Sequence, residues 1–296
     1  MYVKRLLFLH ANGYPGPVYR RFIDTLARSI EVIPLEILET PASTPAVLRW
    51  RRMRDQVVER LDALSTATTA TTAAASTGTT DSPASRDPAA LADSGTALVG
   101  HSMGGYLALL AAAHQLPAHH PVVLIDSPLP GPGRGALLSL AQRTGLIYRV
   151  GPAPVAARRR HTWPDLEGAR NFFAGKSFVQ RWAPGVLDDF IAHGLRSQTG
   201  LPGRQITLRI PREEERDIYA HLPHRDAARA LRRLRGAAVP VGFIAGSQSV
   251  EMRLAGWAAS RRLFRDRLVV LDTGHLVPLE APQACADAVL GLLRRR

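Results

Sequence analysis

Six short runs rich in Val, Ile and Leu recur along the chain, at 2–9, 31–37, 96–100, 121–126, 239–245 and 268–272, with helix-like stretches between them. Helices are expected near 19–28, 103–115 and 252–264, and from Pro282 to the C-terminus. Another is written in Trp50, Met53, Val57, Leu61 and Leu64, whose steps of 3, 4, 4 and 3 place them on one helix face. Strands that are apolar throughout, rather than at every second residue, are buried on both faces. The pattern therefore predicts an α/β fold, with a mainly parallel six-stranded sheet and helices on both faces.

Two segments break this rhythm. Residues 65–95 are rich in Thr, Ala and Ser with almost no large apolar side chain, and read as a flexible low-complexity loop. The second runs for more than a hundred residues between two core strands and carries Phe172, Phe173, Phe178, Trp182 and Phe190. Such aromatic content predicts a folded insertion over 129–238, with the core in 1–128 and 239–296. The aromatic residues either build the insertion's own core or line an apolar pocket.

Net charge is +13, yet only Lys4 and Lys176 are lysines, so the excess is arginine spread over many segments. The densest groups are Arg158 to Arg160, the run from Arg225 to Arg235, and Arg294 to Arg296. No zinc-finger, RNP or helix-turn-helix pattern accompanies them, so they read as solvated faces and no nucleic-acid partner is expected. Cys285 is the single cysteine, which excludes an intrachain disulfide. His114, His119 and His120 read as surface residues without carboxylates at ligand spacing, and no metal is expected. No run approaches the roughly 18 apolar residues of a membrane span, so a cytoplasmic protein with no membrane partner is expected.

Residues 98–105 read LVGHSMGG, a Gly-x-Ser-x-Gly pattern set between a strand and a helix. At such a turn the glycines let strand and helix approach closely, and the serine hydroxyl stands above the sheet at the helix N-terminus. Together with LHANGYP at 9–15 and DTGHLVPLEAP at 272–282, the sequence resembles the α/β-hydrolase superfamily, in particular its capped members. The resemblance implies Ser102 as nucleophile, His275 as base, and an oxyanion hole from the backbone N–H groups of Asn12 and Met103. The Asn12 side chain either adds a donor there or caps its turn. His101 is expected to point away and pack on the sheet. The insertion 129–238 would then be a cap (lid) domain over the strand tips.

The acid of this triad is not at its usual place, because GFIAGSQSVEMR puts Ser249 where the family carries aspartate. Two carboxylates can substitute: Asp126, which ends the strand after the nucleophile helix, and Glu251, two residues beyond the usual site. Asp126 is preferred. The resulting expectation is a serine hydrolase acting on a carboxylic ester, or related acyl bond, of a small to medium, largely apolar molecule, without a cofactor. The alternative is a silent hydrolase-fold binding protein that lacks a competent acid.

Overall fold

The computed structural model describes residues 3–75, 95–201 and 203–295. The first half alternates strand and helix: β1 (Arg5–Leu9), α1 (Arg20–Ala27), β2 (Glu31–Pro34), α2 (Arg49–Ala75), β3 (Thr96–His101), α3 (Met103–His114) and β4 (Val122–Ile125). A long excursion follows, with α4 (Pro132–Arg143), α5 (Pro152–Arg158), β5 (Thr162–Trp163), α6 (Leu166–Ala174), α7 (Val186–His193), β6 (Leu195–Leu201), β7 (Gly203–Leu208), α8 (Arg212–Ala220) and α9 (His224–Gly236). The chain then returns through β8 (Val241–Gly246), α10 (Val250–Ala255), α11 (Trp257–Phe264), β9 (Leu268–Leu271), α12 (Val277–Glu280) and α13 (Pro282–Arg294).

Six of the strands form one parallel sheet in the order β2-β1-β3-β4-β8-β9. β3 and β8 are buried at every residue, as an inner parallel strand must be when helices cover both faces. On one face α1 and α13 pack together over Leu6, Phe8, Val99 and Ile244. On the other, α3 lies against the sheet with α2 and α9 outside it, over Leu7, Leu98, Leu124 and Phe243. α3 is apolar on all sides because it is covered on all sides.

Two features differ from expectation. α2 continues through Ser65 to Ala75, where a flexible loop was expected over 65–95. Once an amphipathic helix is nucleated, an alanine-rich tail extends it at low cost. The remainder of that expected loop, 76–94, lies outside the described residues. Within 129–238, α9 packs on α3 through Ala227, Ala230, Leu231 and Leu234, so it supplies the crossover layer between β4 and β8. The excursion also holds a small antiparallel sheet, β5-β7-β6.

His120, expected at the surface, is buried, and a ring nitrogen bonds the Thr96 carbonyl at 3.0 Å. Among the described residues, no helix is long and apolar enough to cross a membrane.

Candidate active site

The tips of β3, β4, β8 and β9 are adjacent in the sheet, and each delivers one piece of the site. Ser102 follows β3 with φ 53° and ψ −113°, a backbone conformation that side chains rarely adopt. Its N–H is held by the Ile125 carbonyl at 2.9 Å, which continues the β3–β4 pairing into the turn. The surrounding glycines are demanded by space. A Cβ at Gly100 would stand 2.2 Å from the Gly104 backbone, one at Gly104 would stand 2.1 Å from the Leu9 carbonyl, and one at Gly105 would meet Ser127 at 2.1 Å. Such strain is tolerated where the surrounding packing enforces it, and it clusters at functional sites.

Asp126 follows β4, also at positive φ (42°), and its carboxylate is fully buried. Its Oδ1 accepts the Gly246 N–H at 2.9 Å. Its Oδ2 accepts the Ser249 hydroxyl at 2.5 Å and lies 2.6 Å from His275 Nδ1. The other ring nitrogen, Nε2, lies 3.1 Å from Ser102 Oγ. Serine, imidazole and carboxylate thus form one continuous hydrogen-bonded line across three strand tips. Ser249, at the position where the resembling family carries aspartate, donates to the carboxylate on the neighbouring tip, while its oxygen caps α10 by accepting Met252 N–H.

Glu251 is nearby but differently placed. Its Oε2 is 3.6 Å from His275 Nδ1, beyond hydrogen-bond reach, and its side chain is 45% exposed. Burial disfavours the His275 imidazolium, but the hydrogen bond and charge of Asp126, with Glu251 and Glu280, outweigh it and hold the pKa above its ordinary value. Asp126, Glu251 and His275 are also a group that could face an ion, with ligand atoms within 4.8 Å of one another. The 2.6 Å separation of imidazole and Asp126 is that of a direct, charge-assisted hydrogen bond.

The loop after β1 faces the serine. Asn12 is buried, and its Nδ2 donates to the Glu215 carbonyl at 3.0 Å, so the side-chain donor ties the loop to α8. That contact uses one of the two amide hydrogens, and Oδ1 has no hydrogen-bond partner among the described residues, so the side chain does not cap its own turn. Among the described residues, neither Asn12 nor Met103 spends its backbone N–H on a protein acceptor. His10 fixes the start of the loop: its Nε2 accepts the Leu38 N–H at 2.7 Å and its Nδ1 bonds the Ala11 carbonyl. Burial pushes the His10 pKa down to about 4, so it stays neutral.

Several contributors were not legible beforehand. His101 does not simply pack on the sheet: its Nδ1 accepts from Tyr19 Oη at 2.8 Å and its Nε2 donates to the His275 carbonyl at 2.9 Å. Glu280 accepts the Gly274 N–H at 2.8 Å and pairs with Arg181, bracing the loop that carries His275. Its only sequence signal was an acidic residue five positions after the histidine. Arg159, expected on a solvated loop, pairs with buried Glu215 at 2.6 Å behind Gly13.

Two cavities open onto Ser102. One, of about 290 Å³, is walled by Trp50, Tyr106, Leu138, Ile147, Ile218 and Leu222. The other, of about 810 Å³, lies under α5, α6 and α8, with Phe172, Phe173 and Phe190 in its wall. The aromatic residues of the excursion therefore do both jobs considered above, since Phe173 and Phe190 also pack against each other in the core.

No curated protein matches the chain in sequence. Three similar solved structures are E-2-(acetamidomethylene)succinate hydrolase (TM-score 0.65, 18% identity, 98% of this chain and 91% of that one), the thioesterase domain from the curacin biosynthetic pathway (0.63, 18%, 97% and 90%), and the peroxisomal alpha-beta-hydrolase Lpx1 from Saccharomyces cerevisiae (0.62, 15%, 98% and 76%). At these identities the likeness speaks for the fold. The family model described as "Alpha/beta hydrolase family" matches residues 6–288. The chain belongs to the alpha/beta hydrolase family.

Proposed function

We propose that the protein is a serine hydrolase that cleaves a carboxylic ester, or related acyl bond, of a small to medium, largely apolar molecule. Ser102 is the nucleophile, His275 the general base and Asp126 the acid. The observation that carries this reading is the unbroken line from Asp126 Oδ2 through His275 to Ser102 Oγ, at 2.6 and 3.1 Å.

Ser102 Oγ attacks the carbonyl carbon while its proton passes to His275 Nε2. Buried Asp126 stabilises the imidazolium through Nδ1–H. The unspent N–H groups of Asn12 and Met103 receive the oxyanion, and each such donor is typically worth about 3–4 kcal/mol. Collapse of the tetrahedral adduct expels the alcohol, which takes the proton from His275 and leaves an acyl-serine. Water, deprotonated by the same nitrogen, then releases the acid and restores Ser102. The excursion within 129–238 acts as the cap, its helices walling both cavities. The apolar cavity seats one half of the substrate.

Fluorophosphonate labelling and p-nitrophenyl ester turnover test this reading. Labelling is expected in the wild type and absent in Ser102→Ala. Asp126→Asn is expected to lose on the order of 10⁴ in turnover, as loss of a triad acid does elsewhere. Glu251→Gln should stay within about tenfold of wild type, since it removes only a partly exposed charge. A wild type that neither labels nor turns over any short or medium acyl ester sinks the proposal in favour of a silent binding protein.

A further inference from the structure

The two cavities that share Ser102 differ in the charge they offer. The smaller is largely apolar, and its one arginine, Arg134, donates to the Arg253 and Leu254 carbonyls, whereas the larger is lined by four cationic side chains, Arg159, Arg160, Lys176 and Arg181. Two of these are neutralised within the protein: Arg159 by Glu215 at 2.6 Å, and Arg181 by Glu280 at 2.7 Å. The other two are not. Among the described residues, neither Arg160 nor Lys176 has a carboxylate within the 4.0 Å of an ion pair.

Both cations stand over one aromatic ring, and Arg160 also donates its Nε–H to the Thr162 carbonyl at 3.1 Å. Lys176 Nζ lies 4.1 Å from the centroid of Phe172, and the Arg160 guanidinium carbon lies 5.3 Å from it. The ring quadrupole attracts each of them, but the pair repel one another. Phe172 itself lines the cavity, so both charges stand at the wall of a space that opens onto the serine. The third acid of that wall, Glu251, lies 3.6 Å from His275 and has no arginine or lysine partner among the described residues. The balance left for a ligand is close to one positive charge, which a single carboxylate matches.

We infer that the larger cavity binds a carboxylate carried by one half of the substrate, recognised by Lys176 and Arg160 at Phe172, while the apolar half fills the smaller cavity. This rests on the ester-cleavage reading given above and narrows it: the substrate is amphiphilic, apolar on one side of the scissile bond and anionic on the other.

Two matched pairs of esters test it. One places the charge on the leaving half: para-carboxyphenyl hexanoate against para-carbamoylphenyl hexanoate. The other places it on the acyl half: the monophenyl ester of adipic acid against phenyl hexanoate. The readout is the kcat/KM ratio, anionic over neutral, within each pair. In at least one pair that ratio should fall on the order of fivefold in Lys176→Met and again in Arg160→Met, the scale of a partly exposed charge contact. Lys176→Glu should turn the preference towards para-trimethylammoniophenyl hexanoate. Because each ratio is internal to one protein, a variant that folds less well still reports it. Ratios that none of these variants changes overturn the inference while leaving ester cleavage intact. Turnover of none of the esters overturns the ester reading itself. In that case, calorimetric titration of Ser102→Ala with each pair still decides the anion preference, and equal affinity for the two members rejects it.

Discussion

His101 precedes Ser102 and spans two loops that, among the described residues, share no backbone hydrogen bond with each other. The Ala11 N–H donates to the Tyr19 hydroxyl at 3.2 Å, Tyr19 donates to His101 Nδ1, and His101 Nε2–H reaches the His275 carbonyl. The loop after β1, the turn at Ser102 and the loop carrying His275 are thus set by one chain of hydrogen bonds. Replacing His101 by Phe is expected to lower kcat about tenfold, the scale of one lost buried hydrogen bond, with little change in KM. His101→Gln, which can still donate to His275, should recover part of the loss. Steady-state kinetics on the two variants checks both statements. Ser102 was legible because the requirement is local: glycines at fixed offsets, between a strand and a helix. Asp126 was not decided by sequence, because its partner lies 149 positions away and the choice between strand tips depends on which one points its carboxylate at the ring. His101 was misjudged for a related reason, since a ring inside the sheet's helical layer can still meet a backbone carbonyl from a distant loop.

At the scale of elements, α2 and α8 are joined by buried charges as well as by Trp50, whose Nε1 donates to the Ile218 carbonyl at 3.0 Å. Arg49, at the start of α2, lies 3.7 Å from Glu214 and 3.5 Å from Asp217 of α8, with all three side chains at most 10% exposed. Arg49 also donates to Thr40, while the Thr40 N–H donates to Glu214 at 2.9 Å. Removing one partner leaves buried charge uncompensated, so Arg49→Met should cost about 3–5 kcal/mol in urea unfolding. α8 also supplies Ile218 and Tyr219 to the cavity walls, so loosening it should lower turnover as well. Strands of the main sheet were readable because parallel strands are apolar from end to end. β6 and β7 were not, since RSQT and GRQ break any such run. The single helix expected over 252–264 is two, because Gly256 at φ +100° interrupts it between α10 and α11.

The whole molecule carries an acid liability in its buried imidazoles. His10 titrates near 4 and His101 well below 6.5, both because burial disfavours the cation. A histidine depressed in the folded state contributes stability that is present above pH 6.5 and is lost as pH falls through its folded value. His275, held above 6.5, works in the opposite direction: its contribution is present below 6.5 and fades as pH rises through its folded value. Thermal melting from pH 6.5 down to about 4 should therefore fall less steeply in His10→Gln than in wild type, because the amide has no proton to take up. Equal slopes would show that His10 is not a proton-linked element.

The path of the chain between β4 and β8 has a consequence of another kind. These strands are neighbours in the sheet, roughly 5 Å apart, and a parallel pair needs one crossover helix, which α9 supplies. Residues 129–223 are surplus to that connection: they leave one strand tip and come back to the start of α9 without contributing a strand to the main sheet. They nonetheless supply most of the aromatic and cationic walls facing the serine. One contiguous stretch can therefore be lengthened, trimmed or exchanged with the register of the four tips left alone. Such an exchange has to restore two clasps, Glu215 on Asn12 and Arg181 on Glu280, if the loops beside Ser102 and His275 are to stay in place.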